Sequence, residues 1–223
     1  MIGIIVAMQK ELAGYLKLLK NIEKKCIAGK EFFLGTLYKK QVVVCLSGIG
    51  KVNATIAATV MATNYSPSLI INTGIAGGLG TLSNLDIVIA DKVCQHDMDT
   101  SPLGDPIGYI SGVGKIYFDT DSVVRKLFLS IAPNAALGTI ASGDQFVADT
   151  QSAQYIAEAF GAVCCDMESG AVGHAAYSFG IPFISVRCIS DNADEQASMS
   201  FEQFSQEASE ISVRIVTEAI QLL

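Results

Sequence analysis

Short apolar runs bounded by turn residues recur along the chain, and this pattern is typical of buried strands. The predicted strands cover residues 2–7, 41–47, 68–73, 86–90, 135–142, 162–167 and 182–190. The stretch EFFLGTLYKKQVVVCLS (31–47) contains two such runs around a Lys39-Lys40 turn and predicts an antiparallel hairpin. We therefore expect a sheet that is largely parallel but mixed.

Helical spacing of apolar residues occurs between several of these strands. Residues 51–65 are rich in alanine, and residues 168–180 end on a glycine that is followed by Pro182. The pattern from Ser200 to Gln203 resembles a capping box and predicts the start of a C-terminal amphipathic helix. Strands that alternate with helices predict an α/β fold with a covered sheet, in a single domain over residues 1–223.

The composition limits the partners. Half of the 223 residues are hydrophobic and only 17% are charged, which indicates a large interior or an oligomer interface. The net charge of −7 and the lack of a basic cluster argue against nucleic acid as a partner. No run approaches the roughly 20 apolar residues of a membrane span. The opening MIGIIVAM lacks a basic start, so we expect no signal peptide and a soluble cytoplasmic protein.

Several familiar signatures are excluded. The stretch GIGKVN (48–53) lacks the third glycine of a dinucleotide fingerprint, and no GxSxG elbow occurs. The six cysteines show no zinc spacing, and Cys164 and Cys165 should point to opposite faces of a strand. Only His174 is available beyond the HDMD stretch (96–99), so we expect no metal and no cofactor.

Three acidic residues follow three predicted strands. Glu11 comes after the first, Glu168 after the sixth and Asp191 after the last. The carboxyl ends of strands line the ligand crevice of open α/β sheets, so these carboxylates can meet in one cleft. Each alone also fits a loop acid or a helix cap. Together, with Arg187 nearby to balance their charge, they favour a clustered site.

Six motifs resemble those of bacterial 5′-methylthioadenosine/S-adenosylhomocysteine nucleosidases, in the nucleoside phosphorylase superfamily. In chain order they are IGIIVAMQKEL, SGIGKVNA, INTGIAGGL, ASGDQF, CDMESGAV and VRCISDNAD followed by SFEQF, from residue 2 to residue 204. The resemblance implies a three-layer α/β/α fold with a central mixed β-sheet. It also implies a homodimer that hydrolyses small nucleosides in methionine salvage without a cofactor.

The resemblance assigns roles by position. Glu11 matches the acid that activates the attacking water, and Asp191, oriented by Ser190, matches the acid that protonates the five-membered ring of the leaving adenine. Glu168 matches the carboxylate that binds the ribose hydroxyls, close to Arg187. The other matched positions are Phe146 (stacking on the purine), Val147 (backbone contact to the adenine edge), Met167 (under the sugar), and Met8, Ile49 and Phe201 (walls around the sugar and the 5′ group).

The chemistry requires these residue types independently of the name. Cleavage of an N-glycosidic bond passes through an oxocarbenium-like state, so it needs an acid at the leaving group and a base for water. One carboxyl must stay protonated near neutral pH while the other is ionised. We predict that Asp191 has the raised pKa. For Phe146, ordinary core packing is the alternative interpretation.

Two positions depart from the family pattern. Ile75, close to the ribose, replaces the usual serine, and Leu103 stands where a phenylalanine from the neighbouring subunit often closes the 5′ pocket. These changes bear on the preference among methylthioadenosine, S-adenosylhomocysteine and 5′-deoxyadenosine. The adenine and ribose assignments do not depend on them.

The glycine-rich stretch INTGIAGGLG (71–80) resembles a phosphate-binding loop. Related phosphorylases place arginine and serine where this chain has Asn72 and Ile75. The loop therefore favours hydrolysis over phosphorolysis. The alternatives that stay open are a purine nucleoside phosphorylase, a futalosine hydrolase of menaquinone synthesis, and a non-catalytic nucleoside-binding protein.

Overall fold

In the computed structural model, which describes residues 1–223, ten strands form one mixed sheet. The strands are β1 (Ile2–Val6), β2 (Lys20–Ile27), β3 (Lys30–Leu37), β4 (Lys40–Leu46), β5 (Leu69–Gly78), β6 (Ile87–Gln95), β7 (Phe118–Asp119), β8 (Ala136–Ser142), β9 (Ala162–Asp166) and β10 (Phe183–Asp191). Their order is β10-β6-β8-β9-β5-β1-β4-β3-β2, with β7 beside β6. Parallel pairs join β1 to β4 and β5, whereas β2, β3 and β4 are antiparallel, as the predicted hairpin requires.

The sheet also closes on itself. Strand β10 pairs with both β5 and β6, and β9 pairs with both β8 and β5, so these five strands form a ring. Strands β1, β4, β3 and β2 extend from β5 as an open wing. The closure was not predicted, because apolar runs identify strands but not their neighbours.

Helices cover both faces of the sheet. They are α1 (Gln9–Leu18), α2 (Lys51–Tyr65), α3 (Ser122–Ile131), α4 (Thr150–Phe160), α5 (Ser169–Phe179) and α6 (Ala197–Leu222). One core contains buried side chains of α1, α3 and α6, such as Tyr15, Phe128 and Val216. A second core lies under α2 and α5, where Met61 and Val172 are fully buried. The expected three-layer α/β/α arrangement is confirmed.

Strands β1, β8, β9 and β10 and helix α5 are observed within one residue of their predicted bounds, and helix α2 is observed at its predicted bounds. Strands β5 and β6 are longer than predicted, because they run to Gly78 and Gln95 rather than to residues 73 and 90. The predicted start of the last helix at Ser200 is wrong, because α6 begins at Ala197. A turn at Asp194 leads directly into the helix: the Ala197 N–H donates to the Asp194 carbonyl at 2.9 Å, and the Ser200 N–H donates to the Gln196 carbonyl at 3.0 Å. The Ser200 amide is therefore already inside the helix.

The glycine-rich stretch is a strand over most of its length. Strand β5 runs through Gly78 because residues of this stretch pair with β1, β10 and β9. Strand β2 was not predicted, since it is polar and exposed over most of its length. No helix is long and apolar enough to cross a bilayer.

Candidate active site

A cavity of about 350 Å³ opens at the carboxyl ends of β1, β5, β9 and β10. It brings together Glu11, Glu168 and Asp191, as their positions after strands predicted. The other sequence-predicted residues that line it are Met8, Ile49, Ile75, Phe146, Val147, Met167, Ser190 and Phe201. Arg187 is the exception among the predicted residues, because it lies behind the wall with 1% of its surface exposed.

Backbone amides hold the Glu11 carboxylate. Oε2 accepts the N–H groups of Ala7 and Met8, each at 2.9 Å, and Oε1 accepts the Ile75 N–H at 3.2 Å. The strand-to-helix turn between β1 and α1 supplies the first two donors, and β5 supplies the third. Because Ile75 contributes its amide while its side chain packs against Cys188 and Ala208, this contact does not depend on the residue type at position 75.

Asp191 ends β10 and is 2% exposed. The Ser190 hydroxyl donates to Oδ2 at 2.8 Å, and the Ala193 N–H donates to Oδ1 at 3.0 Å. The predicted orienting contact between Ser190 and Asp191 is therefore present in the structure.

Arg187 joins the carboxylates from beneath. Its Nη2 lies 2.6 Å from Asp166 Oδ2 and 3.9 Å from Glu168 Oε2, and it donates to Asn72 Oδ1 at 2.5 Å. The Ser169 hydroxyl, 2.5 Å from Asp166 Oδ2, accepts from both Nε and Nη2 of the guanidinium. Sequence reasoning missed Asp166. The sequence could have indicated Asp166, because it lies at the end of β9, two residues before Glu168.

Burial dominates the protonation of the site. It raises the pKa of Asp191, as predicted, against the hydrogen bonds from Ser190 and Ala193. Burial also raises the pKa of Glu11. The positive charge of Arg187 and the three hydrogen bonds from backbone amides lower this pKa and so offset part of the effect. The pKa of Glu168 is raised to about 8 by burial and then by Asp166. The sequence predicted a raised pKa at Asp191 alone, because it could not show that Glu11 is equally enclosed.

Two glycines of β5 allow close packing of backbone against these side chains. A Cβ at Gly74 would lie 2.4 Å from Glu11 Oε1 and 2.5 Å from Arg187 Nη1. A Cβ at Gly77 would lie 3.0 Å from Asp191 Oδ1. Close approach to the protein's own ionisable groups therefore explains the glycines at these two positions.

An apolar rim, formed by Ile49, Phe146 and Phe201, surrounds the mouth of the cavity. Ile49 is 51% exposed and Phe146 is 47% exposed. The rings of Phe146 and Phe201 meet edge to face with centroids 5.7 Å apart, and Lys10 Nζ lies 4.8 Å from the Phe201 centroid. Core packing therefore does not explain Phe146. Leu103 lies outside this chain's own cavity and is 85% exposed.

The cavity lining contains four carboxylates and no lysine, arginine or histidine. No group of three or more His, Cys, Asp or Glu side chains has a geometry that could hold a metal ion. His174 stacks on Phe118 with ring centroids 4.8 Å apart. Cys164 and Cys165 are buried in separate apolar clusters, as expected for adjacent strand residues, and Cys165 lines the cavity.

Comparison with known proteins gives consistent results. The family model described as "Phosphorylase superfamily" matches residues 1–221. A 5′-methylthioadenosine/S-adenosylhomocysteine nucleosidase of Oceanobacillus iheyensis is 35% identical, over 99% of this chain and 98% of the relative.

Two solved structures extend the comparison. The nucleosidase of the same name from Neisseria meningitidis, in complex with methylthio-immucillin-A, has a TM-score of 0.95 and 31% identity, over 100% of this chain and 99% of that chain. The futalosine hydrolase of Helicobacter pylori has a TM-score of 0.96 and 32% identity, over 100% of this chain and 97% of that chain.

Proposed function

The chain belongs to the phosphorylase superfamily and, within it, to the 5′-methylthioadenosine/S-adenosylhomocysteine nucleosidase family, and we propose that it hydrolyses the N-glycosidic bond of these two nucleosides. We extend the proposal to 5′-deoxyadenosine. The observation that carries it is the convergence of Glu11, Glu168 and Asp191 in one apolar-rimmed cavity. The products are adenine and the 5-substituted ribose.

Each carboxyl has a distinct part in this proposal. Adenine lies under Phe146, with its edge at the Val147 backbone and its five-membered ring towards Asp191. Glu168 accepts hydrogen bonds from the ribose hydroxyls, above Met167. Its Oε1 already accepts the Gly50 N–H at 3.0 Å, which fixes its orientation.

Bond cleavage requires two proton transfers. Asp191 donates its proton to the five-membered ring of adenine while the bond from that ring to the sugar breaks. Glu11 accepts a proton from water, whose oxygen attacks the anomeric carbon. A raised pKa suits both residues, because it keeps the acid protonated and makes the base stronger. Arg187 lies beneath Glu11 and offsets part of the cost of its negative charge.

Electrostatics favour water over phosphate as the nucleophile. A phosphate would enter a lining that has four carboxyl groups and no cation to pair with it. The guanidinium of Arg187 is buried and already paired with Asp166. Since an unpaired anion in a buried site is strongly unfavourable, a neutral water molecule is the compatible reactant.

A phosphate-free assay of adenine release tests the proposal. We expect release from methylthioadenosine and S-adenosylhomocysteine without added phosphate, and a loss of about 10³-fold in kcat for Asp191→Asn. A strict requirement for phosphate would exclude hydrolysis. Unchanged turnover in Asp191→Asn would remove that residue as the general acid.

Futalosine hydrolysis is the second candidate, because a futalosine hydrolase is similar to this chain over 97% of its own length. Both substrates present a purine nucleoside to the same carboxylates and differ at the 5′ end. Side-by-side kcat/KM values on futalosine and methylthioadenosine decide between the two activities.

The finer assignments belong to the same proposal. We place the enzyme in methionine salvage as a cytoplasmic homodimer of single-domain chains. Five buried free cysteines and one exposed free cysteine suit a reducing compartment. The exposed apolar side chains of Ile49, Val52 and Leu103 suit a partner subunit near the cavity mouth. Light scattering at working concentration tests the dimer.

A further inference from the structure

Three charged residues outside the cavity lining join two of the segments that carry rim residues, those of Ile49 and Phe146. Lys51 begins α2, Asp97 follows β6, and Asp144 follows β8. The Lys51 ammonium forms an ion pair with Asp97 Oδ1, the Asp144 N–H donates to Asp97 Oδ2 at 2.9 Å, and the Lys51 N–H donates to Asp144 Oδ1 at 2.7 Å. These contacts form a closed triangle of three residues, which we call the charged triangle.

The charged triangle offsets the unfavourable interaction between the Lys51 ammonium and the dipole of helix α2. A cation at the first residue of a helix is disfavoured by the helix dipole. Here the Asp144 carboxylate binds the free amide at that position, and Asp97 pairs with the ammonium. The Lys51 and Asp97 side chains are only 17% and 29% exposed, so water screens their pair less than an open surface pair.

The charged triangle connects the two halves of the proposed substrate site through neighbouring residues of the chain. On one side, Gly50 precedes Lys51 and binds Glu168 through its N–H at 3.0 Å. On the other side, Asp144 lies two residues before Phe146. Gly50 has a φ of 100°, and a Cβ there would lie 3.1 Å from Asp144 Oδ1, so the two segments fit closely.

We propose that Lys51, Asp97 and Asp144 are positioning residues that fix the spacing between the ribose carboxylate Glu168 and the adenine cover at Phe146 and Val147. This inference rests on the proposed function, because it assumes that adenine and ribose occupy those two halves. A ligand that spans both halves depends on their spacing. A ligand that occupies one half does not, and this difference separates positioning from general stabilisation.

Two probes test this on the full chain: methylthio-immucillin-A, which spans both halves, and adenine, which occupies one. In Lys51→Met we expect the Kd of the spanning probe to rise about tenfold, because the halves are no longer preorganised, and the Kd of adenine to change less than about twofold. Lys51→Arg, which keeps the charge, should recover most of the affinity. Asp97→Asn, an isosteric change, gives a second variant should Lys51→Met fold poorly.

Equal weakening of both probes would overturn the inference, since it would indicate a general loss of structure. Unchanged affinity for both probes would also overturn it. The proposed function fails separately, when the unmodified protein releases no adenine from methylthioadenosine. A non-additive effect of Lys51→Met and Asp97→Asn on the spanning probe would confirm that the two residues act together.

Discussion

The floor and the rim of the cavity are built differently. The floor consists of the carboxyl groups of Glu11, Glu168 and Asp191, and Arg187 supports them from beneath. Glu11, Asp191 and Arg187 are each at most 2% exposed, and each is held by two or more hydrogen bonds. The rim side chains are apolar, and two of them are about half exposed. Proton transfer needs fixed geometry, whereas an apolar cover works through contact area. Changes to the floor should therefore cost stability and rate, and changes to the rim should cost affinity.

Arg187→Met should have the largest effect on stability. It leaves Asp166 and Glu168 buried without their cation, and the free energy of unfolding should fall by about 3 to 5 kcal/mol. The pKa of Glu168, already raised by burial, should rise further without Arg187. Protonation of Glu168 removes its repulsion with Asp166. The loss of unfolding free energy should therefore be smaller near about pH 5, where Glu168 is protonated, than near about pH 8. Urea denaturation at both pH values measures this.

Arg187→Lys is the matched control, because it keeps the charge but not the forked geometry. It should lose less stability than Arg187→Met. An unchanged free energy of unfolding in Arg187→Met would contradict the distinction between the supported floor and the rim.

Ser190→Ala should change the pH profile. The Ser190 hydroxyl lowers the pKa of Asp191, so its removal should raise that pKa further. Because activity is lost as the general acid deprotonates with rising pH, the basic limb of kcat/KM should move to higher pH. We also expect kcat to fall about tenfold, since Asp191 loses an orienting contact. A basic limb that moves to lower pH would disagree with this assignment.

Phe146→Ala tests the rim. Loss of a stacking surface should raise KM for methylthioadenosine about tenfold while kcat changes little. Stability should change by less than about 0.5 kcal/mol, because the side chain is 47% exposed. Tyr155→Ala is the control, since Tyr155 is 51% exposed on α4, outside the cavity lining. A large fall of kcat in Phe146→Ala would show that Phe146 contributes to the chemical step and not only to substrate binding.

Lys10→Met should have the smallest effect. Lys10 has no carboxylate partner; its Nζ donates to Ser205 Oγ at 2.8 Å and lies beside Phe201. It can attract the carboxylate of a charged 5′ substituent. The ratio of kcat/KM for S-adenosylhomocysteine to that for methylthioadenosine should fall about threefold. Lys17→Met on the same helix is the control, and an equal effect there would show that the charge acts without a specific site.

The sequence predicted the three carboxyl groups of the floor better than the buried ion pair of Asp166 and Arg187 that supports them. Glu11, Glu168 and Asp191 follow apolar runs, and the carboxyl ends of strands meet at one edge of a sheet, so their convergence followed from local pattern. Asp166 was missed because its role depends on pairing with Arg187 across two strands. The raised pKa of Glu11 was missed for a similar reason, since burial results from the packing of several segments.

The fold shows the same division. Apolar runs marked most strands, and the alanine-rich spacing marked α2 at its observed bounds. The ring closure through β10 and the strand character of residues 74–78 depend on inter-strand hydrogen bonds, which the sequence does not encode locally. The assignments that came from family motifs, such as Phe146 and Val147, could not be derived from residue type alone.

Cys165 has a consequence for inhibitor design. It lines the cavity, and a covalent warhead aimed at a pocket thiol is an obvious strategy. Burial, followed by the neighbouring Asp191 and Asp166, raises the pKa of this thiol well above its usual range. Because only the thiolate reacts readily with electrophiles, we expect the burial that keeps Asp191 protonated to make the Cys165 thiol unreactive. We therefore expect reversible contacts to supply the affinity of inhibitors for this cavity.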